Sequence, residues 1–461
     1  MRKEKDSLGE MELPDDAVYG VQTRRAMDNF RASGRTARTE MVRAYAIVKK
    51  AAAMANMETG DLDDEIGIAI VTACDEILEG RHLDQFPVDV FQAGAGTSFN
   101  MNVNEVLCNL ALEMMGRSKG EYGTISPNDH VNMSQSTNDT YPTASHMAIL
   151  DKADDLLDEL DLLTSSLERK GTELMEVAKS GRTHLMDALP VRMGNEFRAY
   201  ASAIRRARGR IGQRHEDLLE LAIGGSAVGT GANTGNGYRN LVIENLSMLC
   251  HRVFISARDP FEALQSRSQM LAFSSSLREL ALELVRIAND LRLLGSGPTT
   301  GLAELSMPPV QPGSSMMPGK VNPVMAECLD MICFQVIGND TATALAAQAG
   351  QLELNVMTPV MTHNILESLN LLNRYLPDFR AKCIEGISAD KERCASHIAM
   401  NPILATLLSE RIGYLAAADL VKESTSTGLS IPDLAVKRKL LTKEEAEELF
   451  DPLRMSQGRY P

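Results

Sequence analysis

Four short segments concentrate side chains able to hold an anion and move a proton. They are GAGTSFNMNVNE at 94–105, SQSTND at 134–139, SGRTHLMDALP at 180–190 and PGSSMMPGKVNP at 312–323. None shows helical or strand periodicity. Each is rich in Gly, Ser, Thr or Asn, which also build ordinary turns and caps when they occur singly. Together they offer Thr97, Ser98, Ser136, Thr137, Asn138, Thr183, His184 and Asn322 as neutral groups, and Lys320 as a single cation. That inventory suits carboxylates, held by charge-assisted hydrogen bonds and helix N-termini. Gly313, Gly319 and two Met–Pro pairs surround Ser314 and Ser315, so the fourth segment is expected to be a mobile lid carrying a reactive hydroxyl.

The last three segments adjoin patterns that read as long helices. Ile149, Ala153, Leu156, Leu160, Leu163, Leu167 and Leu174 recur at steps of three, four or seven, as do Leu277, Leu280, Leu284, Ile287, Leu291 and Leu294. Phe197, Ala201, Ile204, Ala207 and Ile211 give a third seam. Such spacing keeps one apolar stripe on one helical face, the geometry of bundles crossing at about 20°. The stretch 147–178 lacks Pro and predicts one helix of roughly 45 Å, weakened at Gly171. With further helices over about 324–346 and 360–386, five long helices fill roughly residues 140–390. The expected fold is therefore all-α, in three parts: an N-terminal mainly helical domain (1–138), a central long-helix bundle (139–393) and a small helical C-terminal domain (394–461). Helices so long and apolar are hard to cover within one subunit, which predicts burial against partner subunits. Thr442 followed by Glu445 predicts a capping box.

Composition narrows the function. A net charge of −15 argues against nucleic-acid or acidic-membrane partners, which need a basic surface, but leaves room for a locally positive pocket. The start, MRKEKDSLGEMELPDD, has no apolar core of a signal peptide, and no run of 18 apolar residues predicts a membrane span. Seven cysteines without Cys-x-x-Cys fit reduced thiols, hence a cytoplasmic location. No His-x-x-x-His or His-Glu-x-x-His pair suggests a metal site.

GSSMMPGKVNP resembles the signature loop of the aspartase/fumarase superfamily, GSSxMPxKxNP. The resemblance extends along the chain through DAVYGVQTRRAMDNF, GAGTSFNMNVNEV, PNDHVNMSQSTND, GRTHL and GGSAVGTGAN. It implies three mainly helical domains, a homotetramer whose central helices form one superhelical bundle, and active sites that combine loops from three subunits. GEYGTISPNDHVN, GNEFRAY and AGQLELNVMTPV look closer to the aspartases. The implied reaction is reversible deamination of L-aspartate to fumarate and ammonia, with no cofactor; activation by a divalent cation is not readable from the sequence.

The resemblance assigns Ser314 as the base at C3, with Lys320 and Asn322 on a substrate carboxylate. It puts Thr97, Ser136 and Thr137 at the carboxylate or enediolate, Asn138 and Thr183 near the leaving group, and Ser98 among the substrate-binding residues. His184 would be held by Glu327. Thr299 and Thr300 stand where the family generally has an Arg. The alternatives are thus class II fumarate hydratase, or a lyase acting on a substituted aspartate or another amine.

Overall fold

The apolar seams become buried helix faces. A computed structural model describes residues 1–457. Its five longest helices are α5 (Thr137–Glu173), α6 (Met193–Asp217), α9 (Ser268–Leu294), α10 (Val324–Gln348) and α11 (Thr358–Lys382). Every seam residue named above on α5, α6 and α9 is buried. The all-α expectation holds in substance, since the sheets are four two-stranded pairs.

Three local expectations are corrected. The 94–105 segment, read as lacking helical period, is helical from Thr97 onward, because Asn100, Asn102 and Asn104 are buried polar residues on the helix Thr97–Met114 and mask its period. Helix α5 begins ten residues before position 147 and absorbs Pro142, at the loss of the one hydrogen bond that residue 142 would make to the Asn138 carbonyl. The SGRTHLMDALP segment, read as lacking strand periodicity, is in fact paired strand. It is most of a hairpin of β3 (Ala178–Thr183) and β4 (Met186–Arg192), with Thr183 paired to Met186 across His184 and Leu185. Both turn residues have positive φ, 54° and 60°, as a two-residue turn matched to strand twist requires. Neither is Gly or Asn, so the usual sequence cue for such a turn is missing.

The chain divides into two compact units, and each long helix contributes residues to both. Unit 1 comprises residues 1–157, 209–279 and 334–373. It opens with a hairpin, β1 (Arg2–Asp6) and β2 (Gly9–Leu13), followed by α1 (Val21–Asn29), α2 (Thr39–Glu58), α3 (Asp64–Leu78) and α4 (Thr97–Met114). Helices α7 (Tyr238–Cys250) and α8 (Glu262–Gln265) come later, and α2 packs on α3 and α7.

Unit 2 comprises residues 158–208, 280–333 and 374–461. It contains the β3–β4 hairpin and a C-terminal run of short helices with its own core, including Ile398, Leu408, Leu420, Ile431 and Leu434. Thr442 and Glu445 form the expected capping box on the helix Lys443–Leu449.

Gly171 does not simply weaken α5. A Cβ on Gly171 would lie 3.0 Å from the Gly194 carbonyl oxygen, and one on Gly194 would lie 2.2 Å from that of Gly171. Two glycines thus let the end of α5 and the start of α6 touch backbone to backbone. Gly194→Ala should therefore cost at least about 1–3 kcal/mol, because backbone rather than a pliable side chain must yield. Urea denaturation of the variant giving a wild-type midpoint and slope would refute this.

Candidate active site

In unit 1, a close backbone approach sets where α4 begins. Gly96 has φ +85°, and a Cβ there would lie 2.0 Å from the Tyr141 ring on α5. Only a glycine lets the chain turn against that ring, so Thr97 and Ser98 open α4 beside the start of α5. One turn on, Asn100 donates from Nδ2 to Thr137 Oγ1 at 2.9 Å and to Asn132 Oδ1 at 3.2 Å. Thr97, Ser98, Ser136, Thr137 and Asn138 therefore belong to two helix starts tied through Asn100. Ser136 Oγ accepts the Asn138 amide at 3.2 Å, while Asn138 Nδ2 donates to the Ala227 carbonyl at 2.8 Å.

Behind these residues lies a buried polar layer that single-residue reading of the sequence missed. Lys49 on α2 is 0% exposed and donates to Asn132 Oδ1 at 3.0 Å and Gln135 Oε1 at 2.9 Å. Its ammonium also sits 5.7 Å from the Tyr45 ring centroid. Burial pushes Lys49 down to about 7, with Asp139 acting the other way. Asp139 accepts backbone N–H groups of Ser136, Gly224 and Ser226 at 2.8–3.1 Å. Burial nevertheless pushes its carboxyl up to about 7. The signals available in the sequence were the Asn-x-Asn-x-Asn run at 100–104 and a lysine set among apolar neighbours in AIVKKAAA.

In unit 2, Thr183 and His184 stand exposed at the tip of the β3–β4 hairpin. The hairpin base is held by Glu304, which is 0% exposed. Arg182, next to Thr183, donates to both Glu304 oxygens, at 2.8 and 2.9 Å. His397 Nδ1 lies 2.8 Å from Glu304 Oε1, and Lys179 Nζ lies 3.6 Å from Oε2. Burial alone would raise the Glu304 carboxyl, but Arg182, His397 and Lys179 outweigh it and hold it below its ordinary value. Asn401 adds a second tie, donating to Ser180 Oγ at 2.7 Å and the Ala188 carbonyl at 2.8 Å, one partner on each strand.

The lid segment also lies in unit 2 and is closed at its base. Gly313 N donates to the Lys320 carbonyl at 2.8 Å, and Asn322 Nδ2 donates to the Gly313 carbonyl at 2.7 Å. Inside the loop, Ser314 Oγ accepts the amides of Met316 at 3.2 Å and Met317 at 2.9 Å. Such donors stabilise an oxyanion on that oxygen. The Lys320 side chain is exposed and has no ion-pair partner among the described residues. Glu327 lies in the first turn of α10, and within the chain no hydrogen bond joins it to His184. Among the described residues no cluster of three or more His, Cys, Asp or Glu could hold a metal ion.

The geometry is that of a helical protein whose helix starts and hairpin tip present hydroxyls and amides, with one lysine and a serine primed by peptide N–H groups. Comparison identifies the class. A family model described as lyase matches residues 9–338, one described as fumarase C C-terminus matches 404–457, and the chain belongs to the aspartase/fumarase superfamily of lyases. It is 47% identical over 455 residues to the aspartate ammonia-lyase of Bacillus subtilis (strain 168), covering 99% of this chain and 96% of that one. It is 43% identical to that of Helicobacter pylori (strain ATCC 700392 / 26695) over 457 residues, covering 99% and 98%. The solved structure of a fumarate lyase:delta crystallin from Brucella melitensis bound to cobalt superimposes with a TM-score of 0.96 at 44% identity, over 99% and 100% of the two chains. A recombinant class II fumarase from Schistosoma mansoni has the same TM-score at 36% identity, over 100% of each chain.

Glu304→Gln leaves Arg182 without its carboxylate partner, while Lys179 keeps Glu196 at 2.9 Å, and should cost about 3 kcal/mol or more at neutral pH. Because the folded carboxyl titrates below its unfolded value of 4.5, its stabilisation is complete above that pH and fades as pH falls through the lower folded value. The gap between wild type and variant should therefore narrow below about pH 4.5. A gap in denaturation free energy that stays constant down to the acid transition would contradict this account.

Proposed function

We propose that the chain catalyses the reversible deamination of L-aspartate to fumarate and ammonia. The observation that carries the reading is the Ser314 hydroxyl, held by two peptide N–H groups within a signature loop, in a chain that resembles aspartate ammonia-lyases end to end. Removing the C3 proton places charge on a carboxylate that is already negative, so the site must offer preorganised donors to the enediolate. Ser314, as its alkoxide, takes that proton. Thr97, Ser98, Ser136 and Thr137 receive the charge on the carboxylate, and Lys320 binds one substrate carboxylate. Asn322, whose Nδ2 staples the loop here, keeps Oδ1 available or exchanges its partner on closure. The C2–N bond then breaks, the C2–C3 double bond forms and ammonia leaves past Asn138 and Thr183. His184, oriented by Glu327 of another subunit, attends the leaving group.

The same reading assigns a homotetramer with shared sites. Its support lies on α10, where Met331, Phe334 and Leu345 are 62%, 57% and 58% exposed. With Gly338 and Thr341, also exposed, they recur at steps of three and four. That is an apolar stripe with coiled-coil spacing left bare on a single chain. The division at residues 138 and 393 is likewise our reading, supported by the start of α5 at Thr137 and a separate C-terminal core. No described helix is long and apolar enough to cross a membrane. A cytoplasmic location is supported by seven free cysteines, five of them buried. No organic cofactor enters the scheme.

Fumarate hydratase is the competing activity, and ultraviolet detection of fumarate from L-aspartate and from L-malate in parallel separates the two. Faster turnover of malate would overturn the assignment. Ser314→Ala should lower turnover by about 10²–10⁴-fold or more while succinate still binds. Solvent exchange at C3 persisting in that variant would assign the base elsewhere. Lys320→Ala should lose about 2–5 kcal/mol in kcat/KM terms, and a wild-type kcat/KM would remove it from the site. Phe334→Lys should give dissociated, inactive chains; a fully active monomer in sedimentation velocity would refute the shared-site assembly.

A further inference from the structure

Unit 1 contains a cavity of about 850 Å³ in which none of the eleven candidate site residues takes part. Its size is that of a small-molecule site. Ile47, Leu78, Met147 and Phe254 give it apolar wall. Its charged lining is unusual for a chain carrying −15: five cations, Arg35, Arg38, Arg43, Lys152 and Arg252, against two carboxylates, Glu40 and Asp151.

Three of those cations are answered from outside the lining, so with Glu40 and Asp151 the charges balance in number and the unpaired positive charge is local to Arg35 and Arg43. Glu367 pairs with Arg38, Asp154 with Arg252, and Asp155 with Lys152. Arg35 and Arg43 have no carboxylate partner among the described residues.

His363 stands in the same wall as Arg35 and Arg38. Its Nε2 lies 3.5 Å from Arg35 Nη1, and its buried Nδ1 has no hydrogen-bond partner. Burial, then Arg38 and Arg35, hold the imidazole below its ordinary value, with Asp89 alone opposing them. A cation-lined, partly apolar cavity with an unused imidazole nitrogen is matched by an organic anion with two or more charges. We infer that this cavity is a second ligand site, taking a small multivalent anion built from carboxylate or phosphate groups.

The site is independent of the proposed reaction, so its test reads binding and not turnover. Calorimetric titration of the intact wild-type protein with citrate and, separately, with pyrophosphate should detect binding below about 1 mM for at least one, and none for acetate. Tighter citrate binding assigns polycarboxylates, and tighter pyrophosphate binding assigns phosphates. Lys320→Ala should bind the same probe unchanged, because its change lies in the candidate active site. The double variant Arg35→Gln/Arg43→Gln, altered at two exposed positions, should bind at least about tenfold more weakly. The His363 ring proton resonance, assigned with His363→Gln, should titrate at higher pH when the probe is bound. The inference is overturned if neither probe binds below about 10 mM, as when a partner subunit covers the cavity. It is also overturned if Lys320→Ala abolishes binding, or if the double variant binds like wild type.

Discussion

A helix of 37 residues carries an apolar seam that must be kept out of water along its whole length, and much of this molecule is a response to that. The seams on α5, α6 and α9 are taken out of water within the chain, which fixes the long helices as rigid struts. Rigid struts place their ends accurately, and the chemistry-bearing residues of unit 1 sit at such ends. Where a strut must be approached closely, glycine replaces side chain: Gly171 against Gly194, and Gly96 against Tyr141. A Cβ at either place would push apart elements whose spacing the polar groups need.

The polar machinery follows a second rule: apart from the exposed Lys320, charge near the candidate residues is kept one layer behind them. Lys49 lies beneath Asn132 and Gln135, and Glu304 beneath Arg182 and the hairpin. What faces outward is chiefly hydroxyl and amide. The cost falls on the buried ions. Lys49 and Asp139 are driven toward neutrality from opposite directions, while Glu304, better surrounded, stays ionised.

Reading the sequence recovered what is periodic or local. The leucine and alanine seams yielded the long helices because burial repeats at the helical period, and the Thr442–Glu445 cap needed only its own four residues. The clusters at 94–105, 134–139 and 312–323 were legible by composition, because Gly, Ser, Thr and Asn gather there, but the helical state of Thr97–Glu105 and Thr137–Asp139 was not. The hairpin at 178–192 was not, since its turn is His–Leu and its strands lack a clear alternation. The start of α5 was hidden by Pro142. The ion clusters were beyond reach for a different reason: Arg182 meets Glu304 across 122 residues, and His397 meets it across 93. Nothing local marks a lysine or glutamate as buried when its partners come from other elements.

The way Ser314 is held separates two properties that enzymes often carry on the same atoms. Its Oγ takes hydrogen bonds from the peptide groups of residues 316 and 317, whose side chains are 83% and 48% exposed. Every residue except proline supplies that peptide N–H. Mutational drift at 316, the variable position of the signature, can therefore reshape what the loop touches while the serine oxygen keeps its two donors. The loop is a part whose outer contacts can diversify under selection and whose inner chemistry is insulated from that change by being made of backbone.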